Sequence, residues 1–224
     1  MIILVFGRRE QGKTTFAYHL ALQKETRVEF DPRGMFATTS DIIPDAFELQ
    51  ELLDEREEII VQPEHSVKRV FEETCNSIWR WIKQYHDMGS ELSLSFLVDE
   101  ARFIDTPSYI PESLDAILRM APRREVDTIF TAHRPVDISV DIRAIADYWA
   151  IFQTTQEHDL KVISERCGEQ VAEIVAKLPA HHLVVWNDAL GTFRVLDKPE
   201  VWRHQITRLP QNVKLEGEIG TWTQ

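Results

Sequence analysis

Near the start of the chain, Gly7-Arg8-Arg9-Glu10-Gln11-Gly12-Lys13-Thr14 satisfies G-x-x-x-x-G-K-[ST] at every defined position, and Thr15 follows it. Two glycines at this spacing let a loop wrap so that successive backbone N–H groups converge on a phosphate. The positive end of the following helix adds to them. Lys13 in such a loop reaches the β- and γ-phosphates, and the Thr14 hydroxyl is a ligand for Mg2+. The chemistry is the binding of ATP with Mg2+ through the loop from Gly7 to Thr15. Arg8 and Arg9 suit a subunit interface or solvent better than catalysis.

A second acid-bearing segment belongs with the first. Leu94 to Val98 is mainly apolar and ends in Asp99 and Glu100. In P-loop proteins an acid at the tip of the strand beside the P-loop strand holds the magnesium shell, here Asp99. Glu100 can then orient and deprotonate an attacking water. A carboxylate placed for water favours hydrolysis, whereas a kinase would rather need room for a phosphoryl acceptor. A third segment, Asp127 to Thr131, is followed by Ala132-His133-Arg134-Pro135. Ligand-facing groups in open α/β sheets lie beyond such C-terminal strand ends. His133 is therefore a candidate sensor of the γ-phosphate; a histidine capping the turn before Pro135 is the plain alternative.

These residues need elements to hold them. Ile2 to Phe6 is an unbroken apolar run, as in a strand buried on both faces of a parallel sheet. A helix over Thr14 to Gln23 follows, then a strand over Arg27 to Phe30 stopped by the turn Asp31-Pro32-Arg33-Gly34. Phe36 to Pro44 has no clear assignment. Phe47 to Arg56 reads as a short acidic helix and Glu58 to Gln62 as a strand. Val67 to Asp87 is the longest helical pattern, with Val70, Phe71, Ile78, Trp79, Ile82 and Tyr85 at spacings of three and four. Further on come a strand over Leu92 to Val98, a helix over Ser113 to Met120, the strand over Asp127 to Thr131 and a helical turn over Ile142 to Asp147. A strand over Trp149 to Gln153 and helices over Asp159 to Glu165 and Gln170 to Lys177 come next. Two strands, His182 to Trp186 and Thr192 to Leu196, close the pattern as a hairpin. Alternating strands and helices predict an α/β fold, a mostly parallel sheet with helices on both faces. Residues 1–197 form one domain, and 198–224 a tail or arm.

Composition agrees. The chain has 224 residues, 43% hydrophobic and 28% charged, which excludes collagen-like, disordered and multi-pass membrane classes. No stretch approaches the ~20 apolar residues that a membrane span needs, so a soluble, cytoplasmic protein is expected. Cys75 and Cys167 stand far apart in no metal-type spacing, and free thiols are expected. The formal net charge of −12 argues against wrapping DNA around the whole surface, so any contact with nucleic acid must be local. Lys68 with Arg69, or the Arg33–Gly34 turn, could supply it.

The N-terminal P-loop strand, the Val98-Asp99-Glu100-Ala101 strand end and the arginine-rich segment before Thr131-Ala132-His133-Arg134-Pro135 carry a resemblance. With the helix pair and hairpin that follow, they resemble the FtsK/HerA superfamily of DNA-pumping ATPases. In size the chain is most similar to the genome-packaging ATPases of tailless icosahedral viruses with an internal membrane. The family usually has Gln where this chain has His133. An imidazole can donate a hydrogen bond as an amide does, with added pH dependence. The resemblance covers residues 1 to 197 and implies a RecA/FtsK-like P-loop fold that hydrolyses ATP to move double-stranded DNA into a preformed capsid. It also implies a homo-oligomeric ring, usually a hexamer, in which a neighbour's arginine completes each site. Arg119, Arg123 and Arg124 lie where the family carries that arginine, with Arg123 and Arg124 ahead of Arg119. Capsid or vertex proteins would be partners, in the host cytoplasm or at a packaging vertex. A P-loop kinase and an assembly ATPase of the filamentous-phage type are the alternatives.

Overall fold

The computed structural model describes residues 1–35, 41–104 and 110–196. The tail at 198–224 and most of the unassigned segment before Pro44 lie outside the described residues. Nine strands form one sheet in the order β3-β4-β2-β5-β6-β1-β7-β8-β9. They are β1 (Ile2–Phe6), β2 (Thr26–Phe30), β3 (Asp41–Ile43), β4 (Glu58–Val61), β5 (Leu94–Val98), β6 (Val126–Ala132), β7 (Tyr148–Phe152), β8 (Leu183–Asn187) and β9 (Thr192–Leu196). The first seven run parallel, while β8 and β9 are antiparallel additions at one edge, the expected hairpin. The unbroken apolar runs thus do become strands buried on both faces.

The order corrects one expectation. The strand that ends in Asp99 and Glu100 is β5, and it does not lie beside the P-loop strand: β6 intervenes, paired with β1 on one side and β5 on the other. The consequence is chemical, because the end of β6 then sits between the P-loop and the two acids.

Each strand divides its residues between two faces. On one, Leu4, Phe6, Phe30, Phe96, Phe130 and Trp149 pack under α3 (Val67–Asp87), α4 (Glu112–Met120), α5 (Val140–Ile145), α6 (Glu157–Cys167) and α7 (Glu169–Lys177). Helix α3 contributes Val70, Phe71, Cys75, Ile78, Trp81 and Ile82, residues three or four apart that line a single stripe. Trp81 is the fully buried tryptophan of that helix, with its Nε1 donating to Asp54 Oδ1 at 2.8 Å, while Trp79 is only partly buried. The acidic helix expected from Phe47 to Arg56 shrinks to α2 (Leu49–Leu52); Phe47 and Glu48 stay exposed outside it. Both cysteines are free and buried.

The other face is covered by α1 (Lys13–Ala21), whose Phe16, Ala17, Leu20 and Ala21 pack on Ile3, Val5, Leu97, Ile129 and Phe152. This face is apolar only in its middle. At the C-terminal strand ends it carries Asp31, Asp99 and Thr131, and beneath α1 it carries Glu29. No helix among the described residues is long and apolar enough to cross a membrane.

Candidate active site

The site begins where β1 ends. A Cβ on Gly7 would stand 2.5 Å from Phe152 Cβ, so only glycine lets the loop leave β1 against β7. Gly12, at φ 96° and ψ 15°, turns the chain into α1 through the left-handed region that glycine enters at little cost. Between them Glu10 holds φ 60°. Arg8, Arg9 and Glu10 are exposed, Gln11 and Thr14 half-buried, Lys13 buried and Thr15 exposed. The loop is braced from the β7–β8 side. Arg8 Nη2 donates to Thr155 Oγ1, and the backbone N–H of His181 donates to Gln11 Oε1 at 3.2 Å.

Lys13 Nζ turns into the loop, donating to the Arg8 carbonyl at 2.9 Å and lying 3.3 Å from His133 Nδ1. Burial lowers its pKa, and the Glu100 and Asp99 carboxylates oppose that shift. Both features suit an ammonium group held ready for an anion.

Opposite the loop, Asp99 is 1% exposed. Its Oδ1 accepts from Thr14 Oγ1 at 3.1 Å and from Thr131 Oγ1 at 2.7 Å. Burial raises its pKa, and the two hydroxyl donors partly offset the shift. A hydroxyl and a buried carboxylate oxygen that meet are hard donors of the kind Mg2+ prefers. Thr14 and Asp99 therefore fit Mg2+.

Thr131, on the intervening β6, also accepts from the Glu100 backbone N–H at 2.9 Å. One hydroxyl thus fixes both acids. Glu100 sits in the left-handed region at φ 53° and ψ 59°, which a non-glycine residue adopts only where its surroundings hold it. That turn aims its side chain into the site. Glu100 Oε1 lies 3.0 Å from Arg33 Nη1 and 2.9 Å from His133 Nε2. Its Oε2 is buried without a hydrogen-bond partner, and the exposed Arg102 stays 3.9 Å away.

His133 therefore touches both Lys13 and Glu100. Burial and the neighbouring ammonium lower its pKa, and Glu100 opposes them. Its Nδ1 lies toward Lys13, while Nε2 approaches Glu100 without completing a hydrogen bond. Arg134, next in sequence, points elsewhere: its Nε donates to both carboxylate oxygens of the buried Asp159 at 3.1 Å, tying the end of β6 to α6.

Lys13, Thr14, Asp99, Glu100 and His133 thus converge. Arg123 and Arg124 do not. They precede β6 and lie at the N-terminal edge of the sheet, roughly 20 Å along the strand from the P-loop. Arg123 is paired with Asp147, and Arg119 with Asp115 at 2.6 Å. The exposed Arg124 guanidinium has no ion-pair partner among the described residues. Lys68 and Arg69 are exposed on the first turn of α3, Arg69 within 3.5 Å of Glu73. The Arg33–Gly34 turn, a candidate DNA contact by sequence, instead directs its guanidinium at Glu100. Arg33 and Thr131 are the site residues that sequence reasoning missed. Both stand at C-terminal ends of parallel strands, and only the strand order shows that these ends adjoin the two acids.

No family model matches the chain, and no curated protein matches it. Solved structures do. The genome packaging NTPase B204 from Sulfolobus turreted icosahedral virus 2, determined with ATP-gammaS, aligns over 88% of this chain and 96% of its own. The identity is 17% and the TM-score 0.72. VirB4 of Thermoanaerobacter pseudethanolicus aligns over 90% and 91% of the two chains at 10% identity and a TM-score of 0.59. The pCW3 conjugation coupling protein TcpA aligns over 84% of this chain and 57% of its own, at 13% identity and a TM-score of 0.53. The fold is that of the P-loop NTPases. That fold is the one the sequence resemblance implied.

Proposed function

We propose that the chain is an Mg2+-dependent ATPase that moves double-stranded DNA through a ring of its own copies, packaging a viral genome. One observation carries the hydrolase part of this reading: Glu100 and Asp99 are clamped side by side by Thr131, across from Lys13 and Thr14. A carboxylate held beside a phosphate-binding loop can take a proton from an attacking water, which favours hydrolysis.

In this reading the P-loop N–H groups and Lys13 hold the β- and γ-phosphates of ATP. Thr14 and Asp99 would hold Mg2+, which supplies charge neutralisation at the phosphate oxygens. Glu100 takes a proton from the attacking water. His133, between Lys13 and Glu100, is a suitable sensor because any move of Lys13 onto phosphate breaks its Nδ1 contact. The transition state gains most from an added arginine, worth about 10³–10⁵ in rate in well-studied NTPases. Arg124 is the stronger candidate to supply it to a neighbour's site, since Arg119 and Arg123 are committed to carboxylates of their own chain. The ring, as a hexamer, follows from the family resemblance. The exposed Lys68 and Arg69 are the better candidates for backbone contact with DNA, and the net charge of −12 confines that contact to a small inward patch.

The test is phosphate release by the purified protein, measured across protein concentration with and without double-stranded DNAs of unrelated sequence. Specific activity should rise with protein concentration, and DNA should stimulate it independently of sequence and less at high salt. ATP hydrolysis that is indifferent to DNA would remove the motor and leave a nucleotide-gated assembly role.

A further inference from the structure

Glu100 cannot act as a base in the pose described above. Its Oε1 already faces Arg33 and His133, each within hydrogen-bonding distance, and its Oε2 is buried where no solvent reaches it. Oε2 is closed to water, and Oε1 is held by the Arg33 guanidinium. A base engaged in this way must be released before it works, and one of its two Oε1 partners must move. His133 is held between Glu100 and Lys13, with a further backbone hydrogen bond at Gly7. Arg33 is the freer of the two, its side chain 31% exposed at the mouth of the site.

The turn that carries Arg33 is fixed while its side chain is not. The Arg33 N–H donates to Asp31 Oδ1 at 3.2 Å, and Gly34 N–H to the Asp31 carbonyl at 3.4 Å. Gly34 has φ 64° and lies close against Gln62: a Cβ there would stand 2.7 Å from Nε2. Only the long arginine side chain is left to move, by rotamer changes that are fast on the scale of turnover.

We propose that Arg33 is a positioning residue that holds Glu100 in a resting pose and releases it when a triphosphate binds. This rests on the ATPase reading above. The γ-phosphate carries more negative charge than one carboxylate and offers a guanidinium two oxygens at once. A base that activates water for attack on that phosphate lies within one water's reach of it. Arg33, in contact with the same carboxylate, is then one side-chain swing away. Nucleoside triphosphate draws the guanidinium off Glu100, and diphosphate, lacking the γ-phosphate, leaves the pair closed. The base is armed only while there is something to hydrolyse.

The test is calorimetric titration of ATP-gammaS and ADP, each with Mg2+, into wild type, Arg33→Ala, Glu100→Gln and the double variant. Arg33→Ala should weaken ATP-gammaS about tenfold and leave ADP within twofold, because only the triphosphate gains the guanidinium. Glu100→Gln removes the competing carboxylate and should tighten ATP-gammaS several-fold. That gain should vanish in the Arg33→Ala background, the non-additivity expected of a broken pair. Arg33→Lys should restore part of the discrimination. Equal losses for the two nucleotides in Arg33→Ala, or a Glu100→Gln gain that persists without Arg33, would overturn the latch while leaving the ATPase intact. Wild-type protein that binds neither nucleotide would instead defeat the ATPase reading itself.

Discussion

The two edges of the parallel sheet use the same residue types in opposite ways. At the C-terminal edge, Lys13, Arg33 and His133 surround Glu100, a carboxylate 5% exposed, and Thr131 clamps the buried Asp99 beside it. At the N-terminal edge, Arg123 pairs with Asp147, both side chains more than a third exposed. Exposed ion pairs contribute about 0–1 kcal/mol because solvent screens them and their side chains give up entropy. Buried ones are costly to disrupt, since removing one partner strands the other away from water. Burial therefore separates Glu100 and its partners from the Arg123–Asp147 pair. At the N-terminal edge the exposed Arg124 is left to serve another subunit.

Substitutions can sharpen or break this contrast. The largest effect belongs to Lys13→Ala. Nucleotide titration should show a loss of about 3 kcal/mol, roughly 100-fold in affinity, as expected when a buried charged partner of a phosphate is removed. Thr131→Val keeps the shape of β6 but leaves Asp99 short of a donor and the Glu100 N–H without an acceptor. Denaturant unfolding should register about 2 kcal/mol of lost stability, and turnover should need more Mg2+.

Glu29 tests what burial does without a partner. It lies beneath α1, on the same face as Asp99, fully buried with neither carboxylate oxygen hydrogen-bonded. Burial, with the nearby Glu58 carboxylate, pushes its pKa up from the ordinary 4.5 to about 9. The folded protein therefore binds a proton that the unfolded chain gives up between those values. The stability that Glu29 contributes is full below the ordinary carboxyl range and is lost as pH rises toward 9. Glu29→Gln should flatten that slope and raise stability by about 2 kcal/mol at pH 8, read from unfolding curves at pH 5 and pH 8. The smallest effect is at the N-terminal edge, where Arg123→Ala should change stability by no more than about 1 kcal/mol. A larger loss would mean that the two edges differ less than their exposure suggests.

Much of the site was legible in the sequence because glycine spacing and strand-end acids report backbone needs directly. Gly7 stands where only glycine fits, Gly12 takes a left-handed turn that favours it, and Asp99 and Glu100 end an apolar run. The α3 boundaries, Val67 and Asp87, were equally plain, since a 21-residue amphipathic repeat leaves little ambiguity. What the sequence hid was lateral order. Nothing in a run of strands says that β6 inserts between β1 and β5, so Thr131 looked like one more strand residue and Asp99 was assigned to a neighbouring strand. Arg33 was hidden for the same reason: a turn after β2 matters only once β2 is known to lie beside β5. The short acidic stretch at Phe47 misled in the other direction, because helix-favouring composition without enough apolar positions to bury yields only the single turn of α2.

The central claim is that Glu100 activates water at a site where Lys13, Thr14 and Asp99 bind the nucleotide. It is tested most directly by measuring ATP-gammaS affinity and steady-state phosphate release side by side for wild type and Glu100→Gln. The account predicts that the variant binds at least as tightly as wild type while turnover at saturating ATP falls by about 10²-fold or more, the usual contribution of a positioned base. Wild-type turnover by Glu100→Gln at saturating ATP would contradict it.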